Sequence, residues 1–260
     1  MISSRLDELL IKVHVESYKS NQPILQTVVM KNPILYLLMK ISEGQLSKND
    51  RDLYFYTLAH LTRKKFIKKE DNTYSLTDIG KTMIEKIEYE LELLKTINKE
   101  DINLNEDMYN LLEWACKSAI KNKNAGIKNY TGSPDYSLFL IISKYYNYSE
   151  PLTPYFVGDS GIILISLYSL SFKTGKYLNW WYSPRQLRQF LFNNIPQSYN
   201  ILGKKFDISP LVKYKLVDEK KRGYYISKYK YKLSEEGYNV AEFILKNLKA
   251  VIKYRQNFSK

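Results

Sequence analysis

Cysteine, histidine and glycine are scarce in this chain, and each shortage removes a class of chemistry. The one cysteine, Cys116, leaves an intrachain disulfide and a thiolate zinc site without ligands. The two histidines have no cysteine, aspartate or second histidine at metal-ligand spacing. The ten glycines form neither a phosphate-binding loop nor a dinucleotide-binding pattern. We therefore expect no metal, no cofactor and no enzymatic activity.

Long hydrophobic runs are also missing. The longest, residues 161–170, contains two serines and is far shorter than the roughly 20 residues that cross a bilayer. Asp7 and Glu8 lie where a secretory leader has its basic and apolar segments. These features predict a cytoplasmic protein that does not interact with membranes.

Negative charge is in deficit, and the deficit is local. The chain has 40 Lys and Arg against 27 Asp and Glu, a formal charge of +13. Residues 1–99 carry +3, residues 100–158 carry −2 and residues 159–260 carry +12. An AT-rich genome would explain a general excess of lysine, but not this asymmetry, because one genome encodes all three segments. The charge of the last hundred residues favours a polyanionic partner.

One short pattern occurs twice. Tyr-Ser-Leu-Thr-Asp-Ile-Gly occupies residues 74–80, and Tyr-Lys-Leu-Ser-Glu-Glu-Gly occupies residues 231–237. Each copy predicts a strand that runs into an amphipathic helix, with Thr77 or Ser234 as the N-cap. Acidic residues then follow in the first helical turn, where the helix dipole favours negative charge.

A helix and a β-hairpin are predicted before each copy. The first unit has a helix at about residues 51–65 and a hairpin that returns at residues 73–76. In the second unit we expect a longer hairpin, with its tip at residues 218–223 and its return strand at residues 224–233. Pro210 interrupts the helix before it, which leaves either a short helix capped by Ser209 or a helix that ends near residue 207.

This order of helix, hairpin and helix resembles winged helix-turn-helix domains, and the first copy is most similar to the PadR and MarR groups of transcription regulators. Residues 52–61 correspond to their recognition helix, and residues 74–81 match their wing-exit sequence. The resemblance covers roughly residues 32–97 and 159–248.

The resemblance implies a mainly α (α+β) fold with two winged-helix units in tandem, each with three helices and a hairpin wing. Between them we predict a helical middle segment that contains a helix at about residues 105–122. The expected domains are an N-terminal winged-helix domain at residues 1–99, the connecting segment at 100–158, and a basic winged-helix domain at 159–260.

The implied function is non-enzymatic binding of double-stranded DNA at the nucleoid, first of all by a site-specific transcription regulator. Two alternatives stay open. Two winged helices in one chain also suit a replication-origin or plasmid-partition protein. A scaffold that docks onto a polymerase or a chromosome-organising complex is the third possibility, and its binding would be insensitive to salt.

The candidate DNA-binding residues lie in three places. The second wing contributes Lys220, Lys221, Arg222, Lys228, Lys230 and Lys232. A helix that begins at Ser183-Pro184 and the segment after it contribute Arg185, Gln186, Arg188, Gln189, Lys204 and Lys205. The first unit contributes Arg51, Thr57, His60 and Lys64. Alternating lysines on a strand can neutralise phosphates, whereas Arg and Gln also contact purine edges.

An apolar stripe follows the first copy of the pattern. It consists of Ile84, Ile87, Leu91 and Leu94. The stripe is longer than one small winged domain covers, so it needs a further partner. We expect it to pack either on a second copy, which would make a homodimer, or on the helix at residues 105–122.

Overall fold

The computed structural model describes residues 4–97, 106–124, 132–146, 150–198, 207–222 and 228–258. These ranges contain twelve α-helices and two antiparallel sheets of two strands each. The prediction of a mainly helical fold with two hairpins is confirmed.

The first half of the chain contains eight helices and one hairpin. The helices before the hairpin are α1 (Ser4–Ser20), α2 (Ile24–Lys31), α3 (Pro33–Ser42), α4 (Lys48–Leu53) and α5 (Phe55–Arg63). The hairpin and the helices after it are β1 (Ile67–Glu70), β2 (Thr73–Leu76), α6 (Asp78–Ile97), α7 (Met108–Asn124) and α8 (Pro134–Tyr145).

The second half repeats the order of helices, hairpin and long helix. Its elements are α9 (Asp159–Thr174), α10 (Pro184–Asn194), α11 (Ser209–Lys213), β3 (Val217–Arg222), β4 (Lys228–Leu233) and α12 (Glu235–Phe258). Pro210 lies in the first turn of α11, which is a short helix as one alternative predicted, but its N-cap is Ile208 and the predicted cap by Ser209 is wrong. Most of the other alternative, a helix that ends near residue 207, falls outside the described residues.

Both hairpins are entered through the same turn. Lys65 and Lys215 have left-handed backbone, with φ of 60° and 57°. The amide of the following residue donates back over five residues, from Phe66 to Leu61 O at 3.0 Å and from Leu216 to Leu211 O at 2.9 Å. This is the Schellman ending of a helix, and it turns the chain directly into a strand.

The chain also leaves both hairpins through the same kind of helix cap. The hydroxyl of Thr77 donates to Lys65 O at 2.5 Å, and that of Ser234 donates to Lys215 O at 2.7 Å. Each hydroxyl oxygen also accepts a backbone amide three residues later, at 3.3 Å and 2.9 Å. The repeated Thr or Ser therefore ties the start of one helix to the end of the previous one.

The repeated glycine is required by a close approach of two backbones. A Cβ atom on Gly80 would lie 2.2 Å from Phe66 O, and one on Gly237 would lie 1.8 Å from Leu216 O. No side chain fits at such distances. The pattern seen twice in the sequence is therefore one local structure built twice, with equivalent residues in equivalent contacts.

The second hairpin differs from its predicted form. Its pairing runs from Val217 with Leu233 to Arg222 with Lys228. The predicted tip at residues 218–223 is therefore wrong, because 218–222 belong to β3, and residues 223–227 lie outside the described ranges. The error has a physical origin: β3 is polar on both faces after Val217, so it lacks the apolar alternation by which a strand is recognised.

The predicted helix at residues 51–65 is divided at Tyr54. Ser47 caps α4 in a capping box with Asp50, and α5 begins at Phe55. Because of this break, the residues before Tyr54 and those after it do not lie on the faces of one continuous helix.

The apolar stripe of α6 is buried within the chain. Ile84, Ile87, Leu91 and Leu94 are each at most 7% exposed. They lie on a helix that contacts α2, α3 and α12. Packing on α2, α3 and α12 therefore supplies the cover that was expected from a second copy or from the helix at residues 105–122.

One hydrophobic core extends through both units and the helices between them. The core is continuous across the predicted domain boundaries, which lie between residues 99 and 100 and between residues 158 and 159. The N-terminal helix α1 contacts its neighbour α2 and also α8, α9, α11 and α12, so it packs with distant parts of the chain as well as with the next helix. Asp7 accepts the amide of Ser160 at 3.0 Å and so caps α9, whose own N-cap, Gly158, has no side chain.

Candidate nucleic-acid interface

The register of the second hairpin puts its basic residues on one face. Lys220 lies opposite Lys230, Asp218 opposite Lys232, and Arg222 opposite Lys228. Alternate residues of a strand project to the same side, so these three cross-strand pairs share a face, which we call the basic face. Lys221 and Tyr231 occupy positions on the other face, where Tyr231 is buried.

Two adjacent pairs on the basic face have like charges. Lys220 is exposed and Lys230 partly exposed, and the Arg222–Lys228 pair is next along the ladder. Like charges directly opposite each other destabilise a sheet. Asp218 is the one acidic residue among the six of this face, and it forms an ion pair with Lys232 at 3.4 Å. Repulsion between cations on this face therefore destabilises the hairpin, and a bound anion would reduce that repulsion.

A single residue adds a third strand position beside β4. Tyr182 exchanges two backbone hydrogen bonds of 2.8 Å with Tyr231. This bridge places Trp181 opposite Lys232 and beside the basic face. The ammonium groups of Lys232 and Lys220 lie 5.2 Å and 5.9 Å from the centroid of the Trp181 ring, within cation–π distance.

The neighbouring Trp180 is more exposed. Its relative exposure is 43%. The ammonium group of Lys176 lies 3.6 Å from the centroid of its ring. The chain therefore enters the bridge through two consecutive tryptophans, both of which contact lysine.

The candidates on α10 have different surroundings. The side chain of Gln186 accepts the amide of Ser183 at 2.8 Å and completes a capping box, so it is engaged within the helix. Arg185 and Gln189 are exposed, and Arg188 is partly buried. The structure thus presents Arg185 and Gln189 to solvent one turn apart, directly after the Tyr182 bridge.

The candidates of the first unit are mostly engaged inside the protein. Arg51 donates to Asn72 O at 2.8 Å and so joins α4 to the first hairpin. The ring of His60 packs edge-on against Tyr136, with 5.1 Å between centroids. Burial and two neighbouring cations hold the pKa of His60 below its usual value, so the ring is neutral at pH 7. Thr57 is partly buried, whereas Lys64 is exposed.

The surface that α4 and α5 do expose is apolar. Leu53 is 67% exposed, Phe55 58% and Tyr56 87%. We call these three residues the apolar corner. The sequence prediction missed it because it assumed one continuous helix, whereas the break at Tyr54 turns Phe55 and Tyr56 towards solvent. The run of four large apolar residues at 53–56 was the available signal.

The remaining candidates are Lys204, Lys205, Arg222 and Lys228. Lys204 and Lys205 lie outside the described residues. For Arg222 and Lys228 the described backbone fixes the register, as given above. In the first hairpin, which occupies the equivalent place in the other unit, Lys68 pairs with Glu70 at 2.7 Å, so charge there is locally balanced.

The described residues offer neither a cluster of metal ligands nor a single membrane-spanning helix. Within the part of the chain that is described, no three His, Cys, Asp or Glu side chains cluster as metal ligands would. Cys116 is buried, and burial raises its thiol pKa to about 12. No single described helix has the length and apolarity to cross a membrane. The consecutive helices α2 and α3 reach that length and apolarity only when taken together, and the chain bends by 92° between them.

Comparison with models of known protein families, with curated proteins and with solved structures gave no significant match.

Proposed function

We propose that the protein binds double-stranded DNA without catalysing a reaction on it, and that the basic face of the second hairpin makes the main contact. The observation that supports this most directly is the like-charged cross-strand pair of Lys220 and Lys230 on the basic face. A phosphate between two such cations replaces a repulsion with two attractions. Counterion release from the DNA adds to the gain.

The element order supports a winged-helix arrangement for the second unit. A helix, the bridging Tyr182, two further helices and a two-stranded hairpin follow one another from α9 to β4. The first unit has the same turn, cap and glycine around its hairpin. Two such units in one chain would contact DNA through hairpins and helices together, with most of the affinity from the second.

The role we favour is that of a site-specific transcription regulator. It follows from the resemblance of the first unit to PadR and MarR regulators. A replication-origin or partition protein would use the same basic face, and footprinting on the DNA around its own gene would separate the two roles.

Duplex binding is tested by removing one like-charged rung. Lys220→Ala with Lys230→Ala takes two charges from the basic face, and Lys68→Ala with Lys69→Ala takes two from the first hairpin as the matched control. We expect the first variant to bind a fluorescent 25-base-pair duplex more weakly and to flatten the slope of log affinity against log salt by about 2. Equal losses in the two variants, or salt-independent binding by the unchanged protein, would refute the proposal.

The apolar corner favours a second candidate, a winged-helix scaffold. Three large apolar side chains exposed together are unusual on a surface that needs no partner. A complex with purified RNA polymerase that resists salt, and that Leu53→Ser with Tyr56→Ser abolishes, would support the scaffold. Unchanged duplex affinity in the same variant would show that the corner and the basic face act separately.

A further inference from the structure

Two consecutive tryptophans, Trp180 and Trp181, lie at the edge of the basic face. The Tyr182 bridge fixes Trp181 beside Lys232, and Trp180 precedes it. Both rings contact an ammonium group, and Trp180 is 43% exposed. The remaining tryptophan, Trp114, lies far away in sequence on α7, partly buried against the core.

Exposed aromatic rings among cations are the combination that binds unpaired bases. The cations hold the phosphates, while each ring stacks on a base, whatever its sequence. Inside a duplex the face of a base is covered by its neighbours, so stacking on protein needs a base that has left the helix. Paired DNA alone would leave the two indoles without this contact.

We infer that Trp180 and Trp181 form a stacking site for unpaired bases beside the basic face. The preferred ligand is then a junction at which duplex DNA meets a single strand, either at an end or at a melted stretch. This inference rests on the proposed duplex binding. Lys176 covers one face of the Trp180 ring, so the base would stack on the other face.

The inference is tested with a blunt 20-base-pair duplex, the same duplex with a four-nucleotide overhang, and the overhang strand alone. We expect the overhang to raise affinity at least about fivefold, the lower end of what one stacked base contributes. It should also quench tryptophan fluorescence, with Trp114→Phe removing the background signal.

Variants locate the effect. Trp180→Ala should remove the advantage of the overhang and leave the affinity for the blunt duplex unchanged, while Trp180→Phe should retain most of the advantage. Tyr229→Ala is the matched control, because Tyr229 is an exposed aromatic residue at 36% on the opposite face of the same hairpin. Circular dichroism and thermal melting confirm that each variant is folded.

The outcomes distinguish this inference from the proposed function. Equal, salt-dependent affinity for the blunt and overhanging duplexes overturns the stacking site and leaves duplex binding intact. If the protein binds only the single strand, and Trp180→Ala abolishes that binding, the stacking site is supported and duplex binding is overturned. Failure to bind any of the three DNAs overturns both.

Discussion

At the scale of single residues, the buried ionisable groups act against one another as the pH changes. His14 is fully buried, and burial lowers its pKa from 6.5 to about 4. The unfolded chain then binds a proton between pH 6.5 and 4 that the folded chain does not, so this group destabilises the fold as the pH falls. Burial raises the pKa values of Asp7 and Glu90, and these two carboxyls have the opposite effect.

The contribution of His14 can be isolated with His14→Met. Between pH 7 and pH 4 the unchanged protein should lose up to about 3 kcal/mol more of its unfolding free energy than the variant does. The difference between the two proteins cancels the carboxyl effects, which both share. Urea unfolding at pH 7, 5.5 and 4 measures it. A difference that stays constant with pH would show that the pKa of His14 is the same in the folded and unfolded states.

At the scale of elements, local chemistry was predictable and tertiary packing was not. The caps at Thr77 and Ser234 follow from residue types at fixed spacing, since their contacts lie within one turn and one hairpin. The break at Tyr54 and the true length of β3 depend on what the segments pack against. The alternation of residues along β4 was enough to predict that its lysines share one face. The tryptophans beside that face could not be predicted, because the bridge that places them there joins residues 49 positions apart.

The α6 stripe gives a prediction about assembly. Ile87→Ala should cost about 2–5 kcal/mol of unfolding free energy, because Ile87 is completely buried against other helices of the same chain. Glu88→Ala, its exposed neighbour, should change stability by less than about 0.5 kcal/mol. Urea unfolding measures both values. Light scattering should return the same mass for all three proteins, and a fall from two chains to one in Ile87→Ala would show that the stripe joins two copies.

At the scale of the whole molecule, α1 connects the beginning of the chain to its second half. Leu6 and Leu10 are fully buried, and Asp7 caps α9 across 153 residues. The first and second units therefore share one core. We expect them to unfold as one cooperative unit.

Asp7→Ala tests this coupling. Loss of the cap on α9 should lower the unfolding free energy by about 1–2 kcal/mol. Glu8→Ala is the control, since it removes an exposed ion pair to Lys213, and such pairs contribute little. Far-ultraviolet circular dichroism and tryptophan fluorescence should report a single coincident transition in both variants. Two separate transitions would mean that the units unfold independently.

The position of α1 also has a consequence during synthesis on the ribosome. Its partner α2 is translated directly after it, but its partner α12 begins only at Glu235, so the part of α1 that packs on α12 waits for almost the entire chain to be translated. At about 5–20 residues per second this interval lasts roughly 10 to 40 s. Over that time the part of the apolar side of α1 that α12 covers in the folded protein stays exposed. The nascent chain is therefore a natural client for chaperones that bind near the exit tunnel.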